Sequence, residues 1–225
     1  MSGLIAIEGI DGSGKNTQTD LLLTRLVSQG RKVKKLSFPC YAETFFGREV
    51  GRYLNGDFGS LDQVHPKLAA MLYAGDRYER REYIKDLLSS GFLVVADRYV
   101  PSNIAHQSAK VREIERYEFS KWIEFLEYEV YKMPRPDLVV FLDVPPANSQ
   151  DLILKKEKRD YTDKARDLHE EDESYLDNVH KRFIQLSEGP EWVRIECSKG
   201  GELRSIGDIS DDLWNAVMKV DGGSM

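Results

Sequence analysis

Short apolar runs alternate along the chain with longer stretches that have helical periodicity. Five of these runs, at 4–8, 32–38, 92–97, 137–144 and 192–197, are apolar or rich in β-branched residues. Several are apolar at consecutive positions, which is typical of a strand buried on both faces. The alternation therefore predicts an α/β fold in which helices cover a mostly parallel sheet.

Polar and apolar positions between the runs repeat with the period of an α-helix. Helices are predicted over 15–29, 65–89, 113–131, 171–188 and 205–219. In an open sheet of this kind, ligands bind beyond the carboxyl ends of the strands. Residues that directly follow a strand are therefore the first candidates for a functional site.

The length of 225 residues favours one domain, which we place at 1–220. Within it, the segment 154–172 is highly charged and poor in large apolar residues, so we expect a mobile loop or a frayed helix end there. The last residues, 221–225, are expected to form a loose tail.

Composition narrows the classes of partner. The chain has 32 basic and 38 acidic residues and a net charge of −6, which opposes nonspecific attraction to nucleic acid or to an anionic membrane. No apolar run approaches the roughly 20 residues that cross a bilayer. Two distant cysteines, Cys40 and Cys197, and the lack of a charged-then-apolar leader favour a cytoplasmic location.

The stretch EGIDGSGKNTQ, residues 8–18, follows the first predicted strand and opens the first predicted helix. Its spacing, with Gly9, four residues, then Gly14 and Lys15, is that of a loop whose backbone N–H groups bind phosphate while the lysine reaches the β- and γ-phosphates of ATP. The candidate ATP-binding residues in this loop are Gly9, Ile10, Asp11, Gly12, Ser13, Gly14, Lys15, Asn16 and Thr17.

A magnesium site is predicted beside this loop. Asn16 stands where such loops usually carry Ser or Thr, but its amide oxygen is also a possible Mg²⁺ ligand. Asp97 ends the third run and could contact Mg²⁺ through water, while Arg98 could clamp phosphoryl oxygens with its planar fork. Asp11 is the third candidate metal ligand. A simple Asp–Arg ion pair at a strand end is the alternative for Asp97 and Arg98.

Further motifs follow the later strands and helices. FP-x-Y begins at Phe38, LYAGDR spans 72–77, DRY-x-x-S-N spans 97–103, and a basic stretch occupies the late segment. Together with the glycine loop, and in this order over nearly the whole chain, they resemble the thymidylate kinase family. That resemblance implies a P-loop nucleoside monophosphate kinase architecture with a five-stranded parallel sheet and a short lid, MgATP and dTMP as substrates, dTDP as product, and a homodimer.

The resemblance also implies roles for single residues. It places Lys15, Asp11 and Arg98 at the phosphoryl transfer, a plane for stacking on thymine at Tyr73, a hydrogen bond to a base carbonyl at Arg77, and a polar base contact at Asn103. His106 falls where some relatives have a tyrosine beside C2′ of the sugar. The full set of implied dTMP-binding residues is Asp11, Phe38, Pro39, Tyr41, Tyr73, Arg77, Arg98, Asn103, His106, Asp167 and Glu170.

The basic residues of the late segment indicate the bacterial style of lid, because Ser13 leaves the loop without a basic side chain beside Asp11. By resemblance, Lys156, Arg159 and Arg166 are the candidates that close over ATP. The alternative for any single one of them is a solvated surface charge.

Two other functions stay open at this point. One is a kinase for another nucleoside monophosphate, against which Tyr73, Arg77 and Asn103 argue. The other is a catalytically silent nucleotide-binding regulator, for which Asn16 and Cys40 are the best evidence and against which Lys15 and Arg98 count.

Overall fold

The predicted parallel sheet is confirmed in a computed structural model that describes residues 2–149 and 173–222. Five parallel strands lie in the order β2-β3-β1-β4-β5. Their bounds are β1 Gly3–Glu8, β2 Val33–Ser37, β3 Leu93–Asp97, β4 Leu138–Asp143 and β5 Trp192–Glu196. Each lies within one of the predicted apolar runs or begins one residue before it.

Eight helices that lie wholly within the described residues pack on this sheet or on one another. Their bounds are α1 Lys15–Ser28, α2 Phe45–Asn55, α3 Pro66–Glu79, α4 Arg81–Ser89, α5 Val100–Ser108, α6 Arg116–Glu124, α7 Glu173–Leu186 and α8 Ile206–Gly222. A 3₁₀ turn, Glu113–Glu115, precedes α6, and a π-helical turn, Phe125–Val130, follows it. Two short strands, β6 Ser198–Lys199 and β7 Glu202–Leu203, form a separate antiparallel pair.

The helix predictions were partly wrong. The predicted helix 65–89 is two helices separated at Arg80, whose ψ of 0° departs from helical geometry and interrupts the ladder of hydrogen bonds. Two further helices were missed. Gly47 and Gly51 lower the helix propensity of α2, and every residue of α5 is buried, polar ones included, so α5 has no exposed face to produce a periodic pattern of polar and apolar residues.

The two faces of the sheet bury different helices. On one face, alternate strand residues such as Ile5 and Ile7 pack with Leu22 of α1 and Leu213 of α8. On the other face, Leu4 and Ala6 and their neighbours pack with residues of α3, α4, α5 and α6. Because β1 is central, the loop that follows it is surrounded by other strand ends.

The start of α2 packs closely against the loop that follows β2. Gly47 lies in the first turn of α2, which Thr44 caps by accepting a hydrogen bond from Gly47 N–H at 2.8 Å. A Cβ atom added at Gly47 would lie 2.3 Å from the carbonyl oxygen of Cys40. A backbone atom at that distance cannot rotate away as a side chain could.

We therefore expect Gly47→Ala to lower the free energy of unfolding by about 1–3 kcal/mol, the usual cost of overpacking, although alanine is the better helix former. The matched control is Gly207→Ala in the first turn of α8, where the nearest atom to an added Cβ is 3.8 Å away. Urea denaturation should show loss of stability for Gly47→Ala and no loss for Gly207→Ala. Equal stability of the two variants would contradict this account of the packing between Gly47 and Cys40.

Candidate active site

The glycine loop connects the end of β1 to the start of α1, as a phosphate-binding loop requires. Lys15 is the first residue of α1, and its ammonium group donates hydrogen bonds to the carbonyl oxygen of Ile10 at 2.7 Å and to Ser13 Oγ at 3.2 Å. The first N–H groups of a helix have no carbonyl partner within that helix, and they carry its positive end. The loop therefore combines a lysine and a helix N-terminus at one anion-binding position.

Two glycines of the loop are required by geometry. A Cβ at Gly9 would lie 2.5 Å from Ser13 Oγ and 3.0 Å from the carbonyl oxygen of Leu142. Gly14 has a φ of +77° immediately before α1, a conformation that side chains other than glycine rarely adopt, and nothing lies within 4 Å of its missing Cβ. The open space beside Gly14 lets a phosphate approach the backbone.

Asn16 is exposed on α1, and both atoms of its side-chain amide are hydrogen-bonded. Its Oδ1 accepts a hydrogen bond from Lys35 Nζ at 2.6 Å, and its Nδ2 donates to Asp20 at 3.3 Å. An ion could bind Asn16 Oδ1 only after the ammonium group of Lys35 moves away. Thr17, the next residue, is also exposed.

A buried carboxylate, Glu8, ties the end of β1 to the start of α5. Its Oε1 accepts hydrogen bonds from Tyr99 N–H at 2.8 Å and from Ser102 N–H at 3.3 Å, and its Oε2 accepts one from the Ser102 hydroxyl. Burial raises the pKa of Glu8 to about 7, and the hydrogen bond from Ser102 and the charge of Arg98 only partly offset that effect. Glu8 is not among the site residues predicted from the sequence.

Arg98 lies between the glycine loop and α5, in a left-handed backbone conformation with φ of 66°. Its Nη2 donates to Asp11 Oδ1 at 2.6 Å, and its Nη1 donates to the carbonyl oxygen of Gly9 and to Ser102 Oγ, both at 3.1 Å. Burial opposes the charged form of Arg98, but the carboxylates of Asp11, Asp97 and Glu8 outweigh it and raise its pKa. The guanidinium is therefore a fixed cation at the edge of the loop.

His106 is held as a neutral imidazole. Burial and the nearby charge of Arg98 lower its pKa to about 3. Because Arg98 has only donors to offer, His106 Nε2, 3.4 Å from Arg98 Nη1, is the acceptor nitrogen. His106 Nδ1 then carries the proton toward the hydroxyl oxygen of Tyr175 at 3.0 Å.

A cleft runs from the glycine loop along α5 to α3. It brings together all nine predicted dTMP-binding residues that the structure describes, and adds Leu54, Ser102 and Gln107. The lining residues are Asp11, Phe38, Pro39, Tyr41, Leu54, Tyr73, Arg77, Arg98, Ser102, Asn103, His106 and Gln107. Asp167 and Glu170 lie outside the described residues, as do Lys156, Arg159 and Arg166.

The far end of the cleft contains a buried ion pair. The Arg77 guanidinium donates to both carboxylate oxygens of Glu127, through Nε at 2.6 Å and through Nη2. The pair is shielded from water, because Arg77 is 2% exposed and Glu127 is 0% exposed. The charge of Glu127 therefore outweighs the burial that would otherwise lower the pKa of Arg77.

Three buried polar atoms of α5 lack a hydrogen-bond partner among the described residues. They are Asn103 Oδ1, Gln107 Oε1 and Gln107 Nε2. Such atoms are costly unless something pairs with them, so they mark a place for a polar ligand. Gln107 was missed from the sequence, although it lies four residues after Asn103 and hence on the same face of a helix.

Asp97 ends β3 beside the loop and is half-buried. Within residues 2–149 and 173–222, no side chain or N–H group donates a hydrogen bond to its carboxylate, so its oxygens are open to an ion or to water. In the same ranges, no group of three or more His, Cys, Asp or Glu residues could hold a metal by itself. Any ion at this edge would thus keep water or substrate oxygens among its ligands. The described residues include no helix long and apolar enough to span a membrane.

Comparison with known proteins places these features in one family. The family model described as thymidylate kinase matches residues 7–204. Similar curated proteins include the thymidylate kinase of Schizosaccharomyces pombe, 30% identical over 96% of this chain and 92% of its own, and that of Mycobacterium tuberculosis, 32% identical over 82% and 85%. A solved structure of thymidylate kinase from Candida albicans has a TM-score of 0.74 at 24% identity and covers 97% of this chain and 92% of its own.

The burial of Glu8 predicts a pH-dependent stability. The pKa of Glu8 is about 7 in the folded state and 4.5 in its ordinary environment. Between these two pH values the folded protein keeps a proton on Glu8 that the unfolded chain has lost. The stability that comes from protonation of Glu8 in the folded state is fully present below pH 4.5 and is lost as the pH rises through 7. Glu8→Gln removes this loss, because its amide does not titrate.

Urea denaturation of wild type and Glu8→Gln at pH 5 and pH 8 checks this expectation. The stability of Glu8→Gln relative to wild type should increase from pH 5 to pH 8 by on the order of 2 kcal/mol. Taking the difference between the two proteins cancels the titration of His106 and other groups. A difference that does not change with pH would show that Glu8 is ionised at both values.

Proposed function

The chain belongs to the thymidylate kinase family of nucleoside monophosphate kinases, and we propose that it transfers the γ-phosphate of MgATP to dTMP, giving dTDP and ADP. The observation that carries this proposal is the cleft itself. Its one end adjoins the phosphate-binding loop and Arg98, and its other end presents Arg77 and Asn103 to a base. A nucleoside monophosphate laid along the cleft would have its phosphate near the loop and its base near α3.

The polarity of the groups at the base end suits thymine. Glu127 accepts from Nε and from one N–H of Nη2 of Arg77, so the remaining donors are the two on Nη1 and the second on Nη2, while the unpartnered Asn103 Oδ1 is an acceptor. Thymine offers a matching acceptor at O4 and a donor at N3–H. Cytosine has a donor at N4 and an acceptor at N3. The donor of Arg77 would then face the donor at N4, and the acceptor of Asn103 would face the acceptor at N3. Gln107 can donate or accept and provides a further contact.

Other residues of the cleft support stacking and sugar contacts. Tyr73 is half-buried in the cleft wall and packs edge-on against Tyr53, with ring centroids 6.4 Å apart. Phe38, Pro39 and Tyr41, from the loop that follows β2, also line the cleft. We propose that these rings enclose the base and sugar of dTMP, and that the neutral imidazole of His106 faces the sugar.

Phosphoryl transfer at this site relies on position and charge rather than on a covalent intermediate. Lys15 contributes an ammonium group at the loop, and Arg98 contributes a guanidinium whose orientation is fixed by Asp11, Gly9 and Ser102. Both cations lie where negative charge of the transferring phosphoryl group develops. No strong general base is needed for this reaction.

The family requires ATP and generally a metal ion, and we propose that Mg²⁺ is the ion here. The open carboxylate of Asp97 fits a Mg²⁺ site, with Asp11 beside it and Asn16 available once Lys35 releases its oxygen. When bound, Mg²⁺ neutralises charge on the phosphate oxygens of ATP. The protein's own contribution is to hold these oxygens and carboxylates at one edge of the sheet.

Two further proposals rest on the sequence and the family. We propose that Lys156, Arg159 and Arg166 include at least one group that closes over ATP, with Asp167 and Glu170 near the acceptor, and that the enzyme is a homodimer in the cytoplasm. The charge of the segment 154–172 supports the lid proposal.

The acceptor preference tests the function directly. We expect wild type to use dTMP more efficiently than dCMP by at least about tenfold in kcat/KM, because cytosine would leave two buried groups unpaired. A coupled assay of ADP release at saturating MgATP, with dTMP, dUMP, dCMP and dGMP as acceptors, measures this preference. Equal use of dCMP and dTMP would contradict the base assignment, and nucleotide binding without turnover of any acceptor would favour a silent regulator.

The role of Lys15 in charge stabilisation is tested by Lys15→Ala. Its loss should lower kcat by at least about a hundredfold, the usual effect of removing one group that stabilises developing charge. The affinity for ADP should change far less, because most loop contacts are made by the backbone. Lys85→Ala, an exposed lysine on α4 paired with Glu82, is the matched control and should keep wild-type kinetics. Normal turnover in folded Lys15→Ala would show that the glycine loop is not part of the catalytic site.

A further inference from the structure

Behind the base end of the cleft lies Glu127, which touches both Arg77 and Asn103. It belongs to the π-helical turn Phe125–Val130, is 0% exposed, and does not itself line the cleft. A π-helical turn is rare and frequently accompanies a functional site. Here it places a carboxylate directly behind two groups that face the base.

The orientation of the Asn103 amide is enforced by its neighbours. Asn103 Nδ2 donates to Glu127 Oε1 at 2.8 Å and to the carbonyl oxygen of Ala70 at 3.1 Å. Both neighbours act as acceptors here: the Ala70 carbonyl has no proton to donate, and both carboxylate oxygens of Glu127 accept from the Arg77 guanidinium. The reverse orientation would place Oδ1 against two acceptors. The amide therefore turns its NH₂ inward and leaves Oδ1 as an unpartnered acceptor.

The same carboxylate fixes the Arg77 guanidinium. Glu127 accepts from Nε and Nη2, which is the fork geometry that holds a guanidinium in one plane. This leaves the Nη1 edge of Arg77 for a ligand. One buried side chain therefore sets which atom of Arg77 and which atom of Asn103 are presented.

We propose that Glu127 is a positioning residue for base selection, which fixes the donor of Arg77 and the acceptor of Asn103 in the order that matches thymine and opposes cytosine. This inference rests on the proposed function, since it assumes that a pyrimidine base enters the cleft. Glu127 acts through Arg77 and Asn103 and makes no contact with the substrate.

Glu127→Gln changes this arrangement with little change in shape. In the wild type, Glu127 Oε1 accepts from both Arg77 Nη2 and Asn103 Nδ2, and Oε2 accepts from Arg77 Nε. A glutamine amide has one carbonyl oxygen and one NH₂ group, so in either orientation of the amide at least one of the two Arg77 N–H groups faces a donor and loses its acceptor. The guanidinium is then no longer held in one plane by two acceptors, and the donor that it presents to the base is no longer fixed.

The test compares kcat/KM for dTMP and for dCMP in wild type and in Glu127→Gln at saturating MgATP. The ratio of the two values should fall by at least about tenfold in the variant, which corresponds to loss of one discriminating hydrogen bond. The KM for ATP should stay within about twofold, because Glu127 is remote from the glycine loop and the change is confined to the base end. A purely structural role would lower kcat/KM for both acceptors by the same factor and leave the ratio unchanged.

Asp76→Asn is the matched control. Asp76 precedes Arg77 on α3, is equally buried, and accepts hydrogen bonds from Cys40 N–H and the Thr44 hydroxyl instead of from Arg77 or Asn103. Its substitution should lower stability in urea denaturation but leave the dTMP to dCMP ratio within about twofold, because hydrogen bonding to the base is not altered. A similar fall of the ratio in Asp76→Asn would overturn the assignment to Glu127.

Because loss of a buried charge can prevent folding, Glu127→Asp provides a second variant. It keeps the charge beside Arg77 but withdraws it from Asn103, so the ratio should fall again, though less than in Glu127→Gln. An unchanged ratio in the folded variants would overturn the inference, and so would failure of both variants to fold, which would make Glu127 a requirement of the fold. A wild type inactive with dTMP would instead refute the proposed function.

Discussion

The carboxylate of Glu8 is the contact on which the arrangement of the cleft depends. It lies at the end of the central strand and accepts hydrogen bonds from the first residues of α5, which would otherwise leave backbone N–H groups unpaired in a buried place. Since α5 carries Asn103, His106 and Gln107, this one carboxylate joins the glycine loop to the helix whose residues are proposed to face the base. Its burial makes this junction sensitive to protonation.

The charges of the two cleft arginines are compensated by carboxylates because both side chains are buried. Arg98 and Arg77 are both removed from most solvent, where an unpaired guanidinium would be prohibitively costly, and each faces a carboxylate, Asp11 or Glu127. Buried ion pairs of this kind contribute little net stability compared with apolar packing. These ion pairs instead orient the guanidinium groups, because each carboxylate determines which N–H groups of its arginine remain available to a ligand.

The strands and the phosphate-binding loop were predictable because they depend on local pattern: consecutive apolar residues, then glycines and Lys15. The motif residues around Asn103 were also found, since their order along the chain is distinctive. Glu8 and Glu127 were missed because an isolated glutamate in a sequence usually indicates a solvated surface, and only tertiary packing buries these two. The hydrogen bond from Lys35 to Asn16 could likewise not be predicted from the sequence, because the two residues lie in different elements of the fold.

The unpaired atoms of α5 connect stability to selectivity. A buried polar atom without a partner destabilises the folded protein by about 1–3 kcal/mol, and Asn103 and Gln107 have three atoms for which residues 2–149 and 173–222 provide no partner. A base that pairs with them relieves this penalty, whereas a base of opposite polarity leaves it in place and adds its own desolvated groups. If a pyrimidine base binds in the cleft as proposed, discrimination would arise from the rigidity of the supporting contacts behind the cleft. If Arg77 and Asn103 could reorient freely, they would adapt to either pyrimidine, and the same cleft would bind both.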